Sequence, residues 1–337
     1  MTRPIPLVDA VVAAFDPACR SESAGDLDDR ATADLARILA GPAGSPAAPR
    51  SSDRALPRSR RALTLGVASA AIIAVITSQQ PAPLVATPTP LTYSLSGVAT
   101  GPGSSATDLL LRIAGRAQAL GDDVGKGAYA HVVTEGWYTN MTDVGDGHPA
   151  YAVVPQRAES WRDATGTGTG TLVLISQPPG EAATRNTVTI TPEDLAWPLG
   201  SLSADDRMLS EQLALGNPPE NGPHQRLVAI TDAYRQEPHP GPVRAAMLRY
   251  LAATPGLSVT GTTTDRGGRQ GLAFSLVDAS QKIRHTLIID PRDGRLLSTE
   301  DRLVGAALGA SEGRIAPKSV LSYTVFVTSS RSDRRPG

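Results

Sequence analysis

The chain of 337 residues contains a single cysteine, Cys19, so no intrachain disulfide can brace it and any folded part must be held by its core. It is also poor in lysine, with only Lys126, Lys282 and Lys318, and aromatics make up 4%. Basic and acidic residues number 32 and 33, for a net charge of −1, so composition gives no support to nucleic-acid binding through a basic surface. No Gly-x-Ser-x-Gly elbow, Walker loop or His-Glu-x-x-His occurs. His131, His148, His224, His239 and His285 fall at spacings that suit no metal template, and each is expected to be a surface or half-buried histidine. Asp143 to Gly147 has the acidic and glycine residues of a calcium loop but lacks its further ligands and closing Glu, so a turn is expected. Glu193-Asp194 and Asp205-Asp206 suit helix starts, where they complement the dipole. Neither catalytic residue, metal nor cofactor is therefore expected, and an enzyme built on carboxylates from distant segments is the weakest reading.

One absence is local. From Ala62 to Ser78 there is no charged residue, and the run follows Arg50, Arg54, Arg58, Arg60 and Arg61. With Gln79 and Gln80 it would reach about 28 Å as a helix, against a hydrocarbon core of roughly 30 Å. Its seven strongly apolar residues contribute roughly −3 kcal/mol to insertion, partly offset by Gly66, the alanines and the hydroxyls. A soluble core helix is the alternative, disfavoured by the flanking arginines and by the prolines that follow. A cleaved signal peptide is disfavoured by the long stretch before the run. No Lys or Arg recurs until Arg112, so the positive-inside bias predicts a single-pass cell-membrane protein with residues 1–61 cytoplasmic and the bulk outside.

Residues 1–41 carry two apolar stripes at helical spacing: Val8, Val11, Val12 and Phe15, then Leu27, Ala31, Leu35, Ile38 and Leu39, ended by Gly41-Pro42. Two such short helices bury little by themselves, so they either fray as a marginal hairpin or are covered by a cytoplasmic partner. Residues 42–61 read as a basic flexible tether, 62–80 as the transmembrane helix and 81–106 as a Pro- and Gly-rich stalk.

The remainder, 107–330, reads as an α+β domain on an antiparallel sheet, with 331–337 disordered. Thr107 or Asp108 is expected to cap a helix with the stripe Leu110, Ile113, Ala117 and Leu120. Short strands are expected over 128–135, 150–154, 157–163 and 171–175, with the repeat Thr165 to Gly170 as a hairpin connection. Helices follow over 204–215, 224–236 and 242–253. A meander over 257–263, 272–277, 283–290, 295–299 and 320–328 closes the domain, turning at Asp265–Gly268 and Pro291–Gly294. The alternation of Ile283, His285, Leu287 and Ile289 with Arg284, Thr286 and Asp290 predicts one buried and one wet face.

The helix Val243 to Leu251 with Pro255-Gly256-Leu257, the turn Thr264 to Arg269 and the hairpin Ile288 to Leu297 together resemble a family of actinobacterial single-pass membrane proteins of unassigned function. The resemblance covers about 105–330 and is most specific over Val243 to Glu300. It implies an anti-sigma-factor-like layout, with a cytoplasmic tail, one span and an exported domain similar to the curved half-barrel of periplasmic lipoprotein carriers and envelope-stress regulators. No catalytic residue is carried over. The zinc-type tail of such regulators is missing, because Cys19 has neither a histidine nor a second cysteine nearby.

If the sheet is curved in that way, Trp137, Trp161 and Trp197 could line an apolar groove for an acyl chain or peptide; otherwise they fill the core. The expected function is extracytoplasmic sensing or interaction coupled to a cytoplasmic protein such as a sigma factor. The alternative is lipid or lipoprotein handling at the outer face of the membrane.

Overall fold

A computed structural model describes residues 84–95, 105–143, 149–163, 169–177, 181–191, 202–308 and 314–334. Two antiparallel meanders build it. Strands β1 (Tyr129–Asp143), β2 (Pro149–Asp163), β3 (Gly170–Ser176) and β4 (Thr184–Ile190) form the first. The second comprises β5 (Ser258–Thr264), β6 (Gln270–Asp278), β7 (Ile283–Ile289), β8 (Leu296–Leu303) and β9 (Val320–Ser332). They fuse into one nine-stranded sheet, β4-β3-β2-β1-β9-β8-β7-β6-β5, so the first and last strands pair at its middle and β4 and β5 form opposite edges.

That order dictates where the helices go. Between β4 and β5 the chain must travel from one edge to the other, and α2 (Asp206–Gly216), α3 (Gln225–Gln236) and α4 (Gly241–Ala252) carry it across one face. Helix α1 (Ala106–Ala119) precedes β1 and lies against α4. Leu110, Ile113, Ile230, Tyr234, Met247 and Leu251 meet Leu272, Phe274, Leu287 and Phe326 of the sheet in the main core. Close packing fixes Gly241, where a Cβ would stand 2.2 Å from the Ala117 carbonyl oxygen. The α+β class and antiparallel sheet agree with the sequence. Among the described residues no helix is long and apolar enough to cross a membrane; the run 62–80, the tail stripes, the tether and residues 335–337 lie outside them.

Local expectations needed correction in several places. Ser105, not Thr107 or Asp108, caps α1, accepting from the Asp108 N–H at 3.1 Å, and Leu120 is exposed at the far end of its stripe. The expected strands 150–154 and 157–163 are one strand running through Pro155, which pairs with Trp137 just beyond the end of the β3 register. There the Pro155 oxygen still accepts from Gln177 N–H at 3.1 Å, but β3 has ended, so no ladder acceptor is lost to the missing N–H. Strand β1 continues through Gly136, which lets β9 approach so closely that a Cβ would lie 2.2 Å from the Tyr323 oxygen. The unanticipated β4, Thr-Arg-Asn-Thr-Val-Thr-Ile, is mostly exposed, the composition of a blunted edge strand.

The largest correction concerns the face of the sheet away from the helices. Strand β7 is buried on both faces: Thr286 and Ile288 are as enclosed as Leu287 and Ile289. Part of the expected stalk, Leu84–Leu95, lies there as an extended strap, with Leu91 and Tyr93 against Ala273, Ile288 and Leu297. Its ends are held by Val85 N–H to Arg314 O at 2.8 Å and by Ser94 and Thr262, which exchange backbone hydrogen bonds at 2.9 and 2.8 Å. Arg266 donates to the Thr89 oxygen at 2.7 Å and to Glu300 Oε2 at 2.6 Å, while its guanidinium covers the Tyr323 ring at 4.4 Å. Leu91 N–H reaches the other oxygen of Glu300 at 3.4 Å. Burial raises the Glu300 carboxyl above its ordinary range, and Arg266 offsets only part of that.

Candidate functional site

Where the α3–α4 link crosses the end of β9 and the β7–β8 hairpin, helices and sheet leave a cavity of about 140 Å³. Tyr234 of α3, His239 of the link and Arg244 of α4 form the helical wall. Arg269, Arg295 and Ser329 supply polar groups from the sheet, and Leu296 and Phe326 are among the apolar ones.

Each arginine is held in place by a carboxylate. Arg244 Nη1 and Nη2 donate to the two oxygens of Asp123 at 2.7 and 2.9 Å, its Nη1 also to the His239 oxygen at 2.7 Å, and its Nε to the Asp293 oxygen at 3.0 Å. Arg295 Nη2 shares Asp123 at 2.9 Å. Arg269 donates to Asp265 Oδ2 from Nε and Nη2 at 3.0 and 2.6 Å, and its Nη groups also reach the Phe326 and Leu297 oxygens at 2.7 and 2.6 Å. Burial alone would raise the Asp123 carboxyl, but the hydrogen bonds and charge of Arg244, with Arg295 beside it, hold it below the ordinary range.

His239 is 3% exposed and its Nε2 has no hydrogen-bond partner. Burial lowers its pKa and so favours the neutral ring, against a smaller opposing pull from the Glu237 charge and the Ala233 backbone. Tyr234 donates to the Gly294 oxygen at 3.3 Å, and burial pushes its phenol up to about 12.

The histidines are more enclosed than their spacing suggested, because the topology folds distant segments onto one another: His224, His239 and His285 are all buried. His224, leading into α3, stacks on His285 of β7 with centroids 5.4 Å apart. His285 Nδ1 is 2.9 Å from Asp301 Oδ1, and His224 Nδ1 is 3.3 Å from Asp278 Oδ2. Burial opposes protonation of His285, but Asp301 and Asp278 more than offset it and raise its pKa. His131 stacks on Trp161 at 5.0 Å and bonds Glu159 at 2.9 Å. Among the described residues no group of three or more His, Cys, Asp or Glu is arranged to hold a metal.

Alternation along the strands places the tryptophans. Arg162 turns toward the helices, bonding Glu237 at 2.6 Å, so Trp161 faces the other way. Tyr138 likewise joins Thr324, which Arg235 of α3 also reaches, at 3.0 Å in both cases, so Trp137 lies on the face opposite the helices. Neither tryptophan lines the cavity. Trp197, His148, Glu193-Asp194, residues 144–147 of the acidic turn and the tail residues Val8, Val11, Val12, Phe15, Leu27, Leu35, Ile38 and Leu39 lie outside the described residues. Asp205, by contrast, caps α2, and Asp206 pairs with Arg249.

The cavity residues escaped the sequence reading because they come from five separate segments. A signal was nevertheless present: Arg244 interrupts the apolar run of α4, where a charge facing the core must have a fixed partner. No family model and no curated protein matches this chain.

Proposed function

We propose that this chain is a single-pass membrane protein whose α+β domain lies outside the cell membrane and senses a ligand or partner, while the tail 1–41 couples to a cytoplasmic protein, a sigma factor being the natural candidate. The observation that carries the reading is the strap. The chain that follows the apolar run is stitched to the sheet over Leu84–Leu95 by both backbone and side-chain bonds. An anchor joined to its domain by a loose stalk would only localise it; one joined through a structured strap can also transmit a change in the sheet. Two meanders meeting at β1 and β9 with helices on one face also suit the carrier-like half-barrel that the resemblance implies.

Lipid or lipoprotein handling is less well supported, because a cavity of about 140 Å³ is well below the roughly 300–1,000 Å³ of typical ligand sites. It predicts that the purified protein carries lipid detectable by mass spectrometry of an organic extract.

Affinity capture from solubilised membranes, with the full chain and with a chain lacking residues 1–41, tests the sensing reading. A cytoplasmic protein retained only by the full chain is expected. If both forms retain the same proteins, the tail has no coupling role. Labelling of Cys19 in intact cells by a membrane-impermeant maleimide would overturn the topology.

A further inference from the structure

The cavity at the α3–α4 link is lined on its polar side by donors, and among the described residues no carboxylate lines it. Asp123 and Asp265 are bonded to the arginines yet stand behind them. A guanidinium has five N–H donors. Arg244 uses four on the partners above, leaving one on Nη2. Arg269 keeps one on Nη1, and Arg295 Nε has no protein acceptor among the described residues. An oxyanion entering the cavity would therefore meet three arginines that are already held in place and still have N–H groups not taken by protein acceptors.

His239 asks for something else. In the neutral ring that burial favours, one nitrogen is an acceptor, and Nε2, the one without a partner, takes that role when the proton sits on the other nitrogen, where the Ala233 backbone favours it. Leaving such an atom buried without a partner costs about 1–3 kcal/mol. A ligand satisfying it must bring a donor as well as its charge. The volume limits the rest: a cavity of about 150 Å³ takes a six-membered ring's worth of atoms, and Leu296 and Phe326 turn apolar side chains to it.

We propose that this cavity is a binding site for a small hydroxycarboxylate of about six non-hydrogen atoms. Its carboxylate meets Arg244, Arg269 and Arg295, its hydroxyl donates to His239 Nε2, and its short carbon chain lies on Leu296 and Phe326. The site supplies the ligand that the sensing reading requires and rests on that reading only for its purpose, since binding is measured without reference to the tail.

Calorimetry on the full chain in detergent micelles, with D- and L-lactate, propionate and lactamide as probes, separates the two polar features. At least one lactate enantiomer should bind, and removing the hydroxyl (propionate) or the charge (lactamide) should each weaken binding by about tenfold or more. Lactamide binding as tightly as lactate overturns the anion site; propionate binding as tightly overturns the role of His239. Inorganic phosphate binding more tightly than lactate overturns the organic part of the assignment, and no binding by any probe at millimolar concentration overturns it all.

Arg295→Gln, chosen because Arg295 is the most exposed of the three, should weaken lactate by about tenfold. A second readout needs no variant: the imidazole ¹⁵N signals of His239 should move with lactate along the calorimetric isotherm, and their failure to move at saturation would sink the proposal. Lactate binding that survives while no tail partner is found would separate this site from the sensing reading.

Discussion

At the residue scale, Arg244 has 1% of its side chain exposed and ties α4 to Asp123 and to the β7–β8 hairpin. Asp123→Asn removes the charge that neutralises it and should destabilise the domain by about 3 kcal/mol, read as a lower urea midpoint. The sign of the pH dependence follows from the lowered carboxyl. Asp123 contributes stability above the ordinary carboxylate value of 3.8, and that contribution is lost as pH falls through its depressed folded-state value. The variant should lack this part of the acid loss. His285 behaves oppositely. Its folded-state pKa is raised above 6.5, so its contribution is complete below 6.5 and disappears as pH rises through the raised value. The urea midpoint should therefore fall across that window, with Asp301, Asp278 and the stacked His224 as its charged and titratable surroundings, and His285→Gln should flatten the fall.

Elements meet where side chains leave no slack. Gly241→Ala sets a methyl against the Ala117 carbonyl, and pushing α1 off α4 should cost about 1–3 kcal/mol, measured by thermal or urea denaturation. For the strap, Glu300→Ala removes a charge-assisted bond to Arg266 and an acceptor for Leu91 N–H, together worth about 1.5–3 kcal/mol. Chymotryptic cleavage at Tyr93 should then run roughly ten to a hundred times faster, while an unchanged rate would mean that the strap is held elsewhere. Helices were legible in the sequence because 3.6-residue periodicity survives in α1, α2 and α3, while α4, buried on nearly every side, was marked by its length and by the Pro255-Gly256 stop. Strand ends were not. Gly136 and Pro155 look like turn residues, and what admits them is the neighbouring strand, β9 close by in one case and β3 ending short in the other. The one-sided wetness read from β7 failed for a related reason, since its cover is a proline-bearing segment about 190 residues earlier, with no periodicity to announce it.

For the whole molecule, the sheet closes on a joint between its two meanders. Strand β9 pairs with both β1 and β8, so a chain ending at Lys318 loses that joint and should fail to give a folded domain, judged by loss of cooperative unfolding. The fold class was legible because it depends on the order of strand and helix patterns along the chain. The cavity was not, because Arg244, Arg269, Arg295 and His239 converge only once the helices have crossed the sheet. The strap's attachments also determine how the domain answers a pull from upstream. They are spaced along Val85, Thr89, Leu91, Thr92 and Ser94, and they bridge to β5, β8, the β5–β6 turn and the segment at Arg314. Tension directed along the strap from Leu84 would load them together, in shear, and not peel them one by one; the segment would hold under steady traction of that kind and release as a unit.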